Sequence, residues 1–214
     1  MKRSPEKVGG DVFRVETWLP APFLMVVFLA SGAATACGAQ SGRPLPSCEW
    51  CGTGEAPADL GPAVTIAGED EAGRRIVIDG VVYQSDGETP ASDVTLYLYH
   101  TNDAGVYEKL GNETGNGRRH GHLTGWLRTD VEGRYEIRTI WPGNYPGREA
   151  AAHIHVTVQE PGGTPEYWIP SFNFAGDPYL EVDREAPNVL HMTEGDEGTW
   201  YGGRDIVLPE DPSR

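Results

Sequence analysis

From Arg75 onward the apolar residues fall into short runs, each bounded by turn residues. Thr95-Leu-Tyr-Leu-Tyr99 alternates, placing Leu96 and Leu98 on one face of a strand and Tyr97 and Tyr99 on the other. Arg134–Ile140 gives Tyr135 and Ile137 a common face, and Ala152-His-Ile-His-Val-Thr-Val158 alternates without a break. Arg75–Asp79 and Val81–Gln84 flank Gly80, a pattern that predicts a bulge, and Asp86-Gly87 turns the chain. Glu166–Ile169 and Arg204–Leu208 complete the set. No stretch of a dozen residues carries a 3.6-residue period. The pattern predicts an all-β chain: an antiparallel β-sandwich over 73–209, with short loops and few or no long helices.

Composition agrees. The 214 residues include 28 Gly and 17 Pro, which leave little room for long helices. Lys and Arg total 17 against 32 Asp and Glu, a net charge of −15. Such a chain repels phosphate backbones, so nucleic-acid binding is excluded as a function class.

The first part of the chain reads as an address. Lys2, Arg3, Lys7 and Arg14 precede the apolar run Phe23–Ala30 and the small residues Ser31–Ala36, the order of an export signal over 1–36. The run is too short for a lasting membrane span. Its removal takes away four positive and three negative charges and leaves −16. Ala34-Thr-Ala-Cys37 is a degenerate lipobox, so a lipid on Cys37 would anchor an otherwise exported protein to the cell envelope. That would leave Cys48 and Cys51 to pair as a small disulfide in an oxidising compartment. Residues 37–72, rich in Gly, Pro and acids, are expected to be a tether, and 210–214 a tail.

His153-Ile-His155 is the sharpest chemical feature. Residues i and i+2 of a strand share a face, so both imidazoles converge, which is half of a first-row metal site. Alone, the pair reads equally well as two surface histidines. A second pair, His120-Gly-His122, lies in a Gly-rich basic stretch and reads as an exposed loop. Tyr145, within Trp141-Pro-Gly-Asn-Tyr-Pro-Gly147, and Tyr107, ending Asn102-Asp-Ala-Gly-Val-Tyr107, are aimed by turns rather than by core packing. A trivalent ion stabilises phenolate directly, so two phenolates and two imidazoles would suit oxidised iron better than zinc.

Taken together, Asp103–Tyr107, Gly125–Asp130, Glu132–Pro146 and Ala152–His155 resemble the intradiol ring-cleavage dioxygenases, nearest to the protocatechuate-type subunits and an exported branch. Phe174-Ala-Gly-Asp-Pro178 and Arg204–Leu208 extend the resemblance over most of 73–209. It implies a β-sandwich holding a non-haem Fe(3+) through Tyr107, Tyr145, His153 and His155. The activity implied is cleavage of a catechol-type ring with O2 to a muconate-type diacid, with Tyr145 leaving the metal as it takes up a catechol proton. Three departures stand out. The pocket arginine common three residues before the first histidine is Ala150 here, and the nearest candidate for its catalytic role is Arg148. Ser171 replaces a common Gln, and the Tyr145-to-His153 loop is short. Two other readings remain at this stage: a non-catalytic exported β-sandwich binding module, and an exported Zn or Cu protein using the paired histidines. Self-association over exposed sheet edges makes a homo-oligomer an expectation in each case.

Overall fold

The computed structural model describes residues 50–211. The export signal, Cys37 and Cys48 lie outside that range. The strands, in chain order, are β1 (Ala63–Thr65), β2 (Arg75–Tyr83), β3 (Thr95–Tyr99), β4 (Thr124–Arg128), β5 (Arg134–Ile140), β6 (His153–Gln159), β7 (Tyr167–Phe174), β8 (Val189–Leu190), β9 (Thr193–Glu194), β10 (Trp200–Gly203) and β11 (Ile206–Val207). Among the described residues the longest helix is the single turn α1 (Gly117–His120).

One sheet runs β1-β5-β2-β10-β9, with β11 also paired to β2; the other runs β4-β3-β6-β7-β8. Ile76, Ile78 and Ile137 from the first sheet meet Leu96, Leu98, Ile154, Val156 and Phe172 from the second in one buried core. This is the expected sandwich. Its central pairs are antiparallel, but β1, β8, β10 and β11 each join in parallel. These are strands of two to four residues that enter from connections rather than hairpins.

Two local expectations change. β2 passes through Gly80 without a register shift, opposite Tyr135. A Cβ at Gly80 would overlap the carbonyl oxygen of Arg204, so this glycine admits a crossing backbone rather than a bulge. The irregularity lies between β6 and β7, at Ile154/Val156, where β7 carries one extra residue around Pro170 and Ser171. Proline cannot donate to the ladder, and the break falls at His155.

The described part of the 37–72 segment is built into the sandwich. β1 completes a sheet edge, and Ile66 and Ala67 are buried in the core. Residues 52–55 lie across the tyrosine face of β3. The Glu166 carboxylate accepts from Gly52 N (2.9 Å), Thr53 N (2.9 Å) and Thr53 Oγ1 (2.5 Å), and also from Thr157 Oγ1. The Trp126 indole donates to Gly52 O at 2.7 Å. Every residue of β3 is therefore buried, on both faces. Cys51 is disulfide-bonded, its partner lying outside the described residues. Replacing Glu166 with Ala is expected to cost about 2–4 kcal/mol, since each orphaned donor costs about 1–3 kcal/mol and water recovers part of it. Urea unfolding measures the loss, and limited proteolysis near Trp50 reports release of the segment.

Candidate metal centre

The outer face of the β4-β3-β6-β7-β8 sheet carries the site. Ile154 points into the core, fully buried, which turns His153 and His155 outward together. Two loops bring the phenols over them. In the first, the Asn102 side-chain carbonyl accepts from Ala104 N (3.1 Å) and Val106 N (3.0 Å), and Gly105 takes a φ of 77°, which aims Tyr107 inward. In the second, Tyr145 sits in the turn between Pro142 and Gly147.

All four sequence-predicted side chains converge. The phenolic oxygens of Tyr107 and Tyr145 are 2.6 Å apart, and that of Tyr145 lies 3.3 Å from His153 Nε2 and 3.4 Å from His155 Nε2. The two Nε2 atoms are 2.9 Å apart. His153 Nδ1 lies 2.7 Å from the Ala151 carbonyl, which can only accept; Nδ1 therefore carries the proton and Nε2 presents a lone pair. No three His, Cys, Asp or Glu side chains come together as a metal-holding group among the described residues, so the phenols are needed to complete any four-ligand set here. The donor set fits a hard, highly charged cation. Hydrogen bonds can satisfy these atoms in pairs, whereas one cation satisfies them all.

The electrostatics separate the two phenols. Burial pushes the Tyr107 hydroxyl well above the usual phenol range, and its hydrogen bond with Tyr145 adds to the effect. Burial also raises Tyr145, but there the bond with Tyr107 and the charge of Arg148 pull back down. Arg148 itself is exposed on the rim, close enough to act on Tyr145 through its field. His155 is pushed down to about 3 by burial, with His153 adding to it, so it is a neutral ligand-type imidazole.

Sequence reasoning passed over Asp177. Its carboxylate accepts from Asn144 Nδ2 (2.9 Å) and Ala152 N (3.0 Å) through one oxygen and from Tyr179 N (2.9 Å) through the other. It thereby ties the Tyr145 turn to the start of the histidine strand. Its place in the Phe174–Pro178 motif, before a proline in a turn, was the available signal. His120 also differs from expectation. It is buried rather than exposed, bonded through Nδ1 to the Tyr97 hydroxyl at 2.7 Å, because α1 turns its ring onto Tyr99 and Tyr97 with Trp50 6.0 Å away. His122 is half-buried and bonded to Glu71 at 2.7 Å. The Tyr99 ring stacks on His155 on one side and on His120 on the other, so neither member of the second pair joins the first.

His100 adds a pH dependence. It is buried, with Nδ1 donating to Thr101 O and Nε2 accepting from Thr139 Oγ1, both at 2.7 Å. Burial pushes it down to about 4. The unfolded chain binds a proton near pH ~6.5 that the folded chain refuses, so stability falls as pH drops between these values, by up to about 1.4 kcal/mol per pH unit. Urea midpoints measured from neutral to mildly acid pH are expected to fall less steeply in His100→Gln. A shallower residual loss from the similarly depressed His120 and His155 remains in the variant.

A family model described as Dioxygenase matches residues 50–190. The chain belongs to the intradiol ring-cleavage dioxygenases. This family member is 29% identical over 144 residues to a catechol 1,2-dioxygenase of Acinetobacter baylyi, covering 60% of this chain and 45% of that one. It is 30% identical over 144 residues to catechol 1,2-dioxygenase 2 of Acinetobacter lwoffii, covering 60% and 50%. The chain thus spans about half the length of these curated relatives. Among solved structures, the dioxygenase domain of a carbohydrate-binding fusion from Streptomyces sp. SirexAA-E aligns with a TM-score of 0.56 at 24% identity, over 72% of this chain and 91% of that one. An intradiol ring-cleavage dioxygenase from Tetranychus urticae aligns at 0.54 and 16%, over 72% and 89%. At these identities the structural matches speak for the β-sandwich fold.

Proposed function

We propose that this protein is an exported, ferric intradiol dioxygenase that opens a catechol ring with O2 to a muconate-type diacid. The observation that carries the reading is the meeting of Tyr107, Tyr145, His153 and His155 on one sheet face, inside a chain of this family. Fe(3+) held by these four side chains would supply the Lewis acidity that stabilises phenolate and catecholate oxygens, and would couple the ring's electrons to O2. The chain's own residues do the rest. Tyr107, held between Tyr99 and Tyr145 inside the site, would serve as the fixed ligand, as the family resemblance implies. Tyr145, on the rim turn and eased by Arg148, would be the exchangeable ligand, its phenolic oxygen placed to accept a catechol proton. His153 is held in orientation by Ala151 O.

The approach to the site favours a catechol without a carboxylate. A cleft of about 230 Å³ beside His153 is lined by Ala150, Asn173, Tyr179 and Val182, with Glu149 and Glu181 as its charged members. Ala150 leaves it without the usual arginine. We place the protein outside the cytoplasm, secreted or anchored at Cys37, on the strength of the 1–36 leader.

The test is a visible spectrum of the iron-loaded protein before and after anaerobic addition of catechol. A broad tyrosinate-to-iron band that shifts on addition is expected. A protein that stays colourless after iron loading overturns the reading in favour of a binding module. Turnover of catechol in preference to protocatechuate is expected from the acidic cleft.

A further inference from the structure

Behind the proposed ligand His155 stands a continuous stack of aromatic rings. Tyr99 lies against His155, centroids 4.5 Å apart and 22° from parallel, and its other face lies against His120 at 3.6 Å and 3°. Tyr97 sits 5.7 Å from Tyr99 and 5.1 Å from Trp126. Trp168 lies 5.8 Å from His155 and 6.1 Å from Tyr99, and reaches solvent at 39% exposure.

Packing alone does not account for the polar atoms in this stack. The fully buried Tyr97 bonds through its hydroxyl to His120 Nδ1, while His120 Nε2 is buried with no hydrogen-bond partner. A cluster built only for packing would use Phe here and leave no orphaned nitrogen. A phenol bonded to a neutral imidazole has a use that Phe lacks. It can lose an electron without leaving a charged phenol radical, because the proton moves to the imidazole at the same time. His120 is neutral, pushed down to about 4 by burial, and the 2.7 Å contact gives the Tyr97 proton a direct path to the Nδ1 lone pair. The carboxylates of Glu55 and Glu166 act on Tyr97, which faces the imidazole, while Arg119 acts on His120 against a positive charge there.

We propose that the Tyr97–His120 pair is a redox-active tyrosine, linked by Tyr99 to the metal centre, that supplies electrons when hydrogen peroxide reaches the site and so spares the ligands from oxidation. The proposal rests on the ferric reading above. Reducing one hydrogen peroxide to two waters takes two electrons and two protons. The Tyr97 O–H bond breaks, its electron passes through Tyr99 to the site, and its proton stays on His120 Nδ1. The second electron leaves Trp168, whose indole proton goes to solvent. The two protons consumed at the peroxide come from solvent.

The experiment mixes the iron-loaded protein with hydrogen peroxide, freezes it rapidly and records the EPR spectrum, using protein labelled with ring-deuterated tyrosine to identify the radical. A tyrosyl signal is expected in the wild type and its loss in Tyr97→Phe, with the charge-transfer band intact. His120→Gln keeps a hydrogen-bond acceptor but offers no base, and is expected to lose the neutral tyrosyl signal as well. Peptide mass spectrometry should then find more oxidation at His155 and Tyr145 in both variants. An intact band with no wild-type tyrosyl signal, or with the same signal in Tyr97→Phe, overturns the relay. Absence of the band in the wild type overturns the iron reading, and the relay with it.

Discussion

Iron-loaded Tyr107→Phe is expected to keep only the weaker, shifted part of its visible band that Tyr145 supplies and to turn over catechol at roughly a thousandth of the wild-type rate or less, the effect of several kcal/mol of lost metal-centred stabilisation. The ring stays in place against Tyr99, at 5.9 Å, and Tyr145 keeps both imidazoles within 3.4 Å, so the change is confined to one oxygen. That confinement makes the outcome decisive. A zinc or copper site built on His153 and His155 would not register the substitution, and neither would a binding module. Circular dichroism and thermal unfolding should be nearly unchanged, because the hydroxyl removed is bonded to another hydroxyl and not to a buried backbone group.

Asp177→Ala is expected to lower kcat by about 10- to 100-fold, the usual cost of removing a group that orients a metal ligand, with a smaller change in KM. Asp177 touches neither phenol nor imidazole. It holds Asn144, next to Tyr145, and Ala152, next to His153, so it fixes the spacing of the exchangeable phenol from the histidines. Loosening that clamp should broaden and shift the tyrosinate band of the loaded protein before substrate is added. Asp177→Asn retains one acceptor oxygen and should recover part of both the band and the rate. A residue with a purely structural role would lower stability and leave the band position unmoved.

Strand periodicity alone carried much of the fold. The alternation in β5 and β6, and the leucine face of β3, specified which residues enter the core, because a residue on a pleated strand has only two choices. The short strands β1, β8, β9 and β10 were not legible, since two to four residues carry no period and their pairing depends on where long connections return. The two-sided burial of β3 was hidden for a related reason. Its tyrosine face looks like a half-exposed aromatic surface until the 52–55 segment, held by Glu166 more than a hundred residues away, covers it. At the site, His153 and His155 could be paired from spacing. Tyr107 and Tyr145 needed the family resemblance, because turn geometry places them and nine tyrosines compete. His120 was misjudged because glycine-rich surroundings usually mean exposure; here they admit a tight turn against the backbone of Tyr107 and Glu108.

The two phenol-bearing loops meet backbone to backbone. A Cβ at Gly105 would overlap the carbonyl oxygen of Asn144, and one at Gly143 would overlap that of Asp103. Gly143 N also donates to Asn102 O, and Thr101 Oγ1 to Gly143 O, each at 2.9 Å. Neither loop can gain or lose a residue by itself without shifting the other's phenol. The two loops thus form a single part, and Asp177 fastens that part to Ala152 at the start of the histidine strand, so a change of cleft shape that leaves the phenols in place falls on side chains of the rim such as Ala150, Tyr179 and Val182.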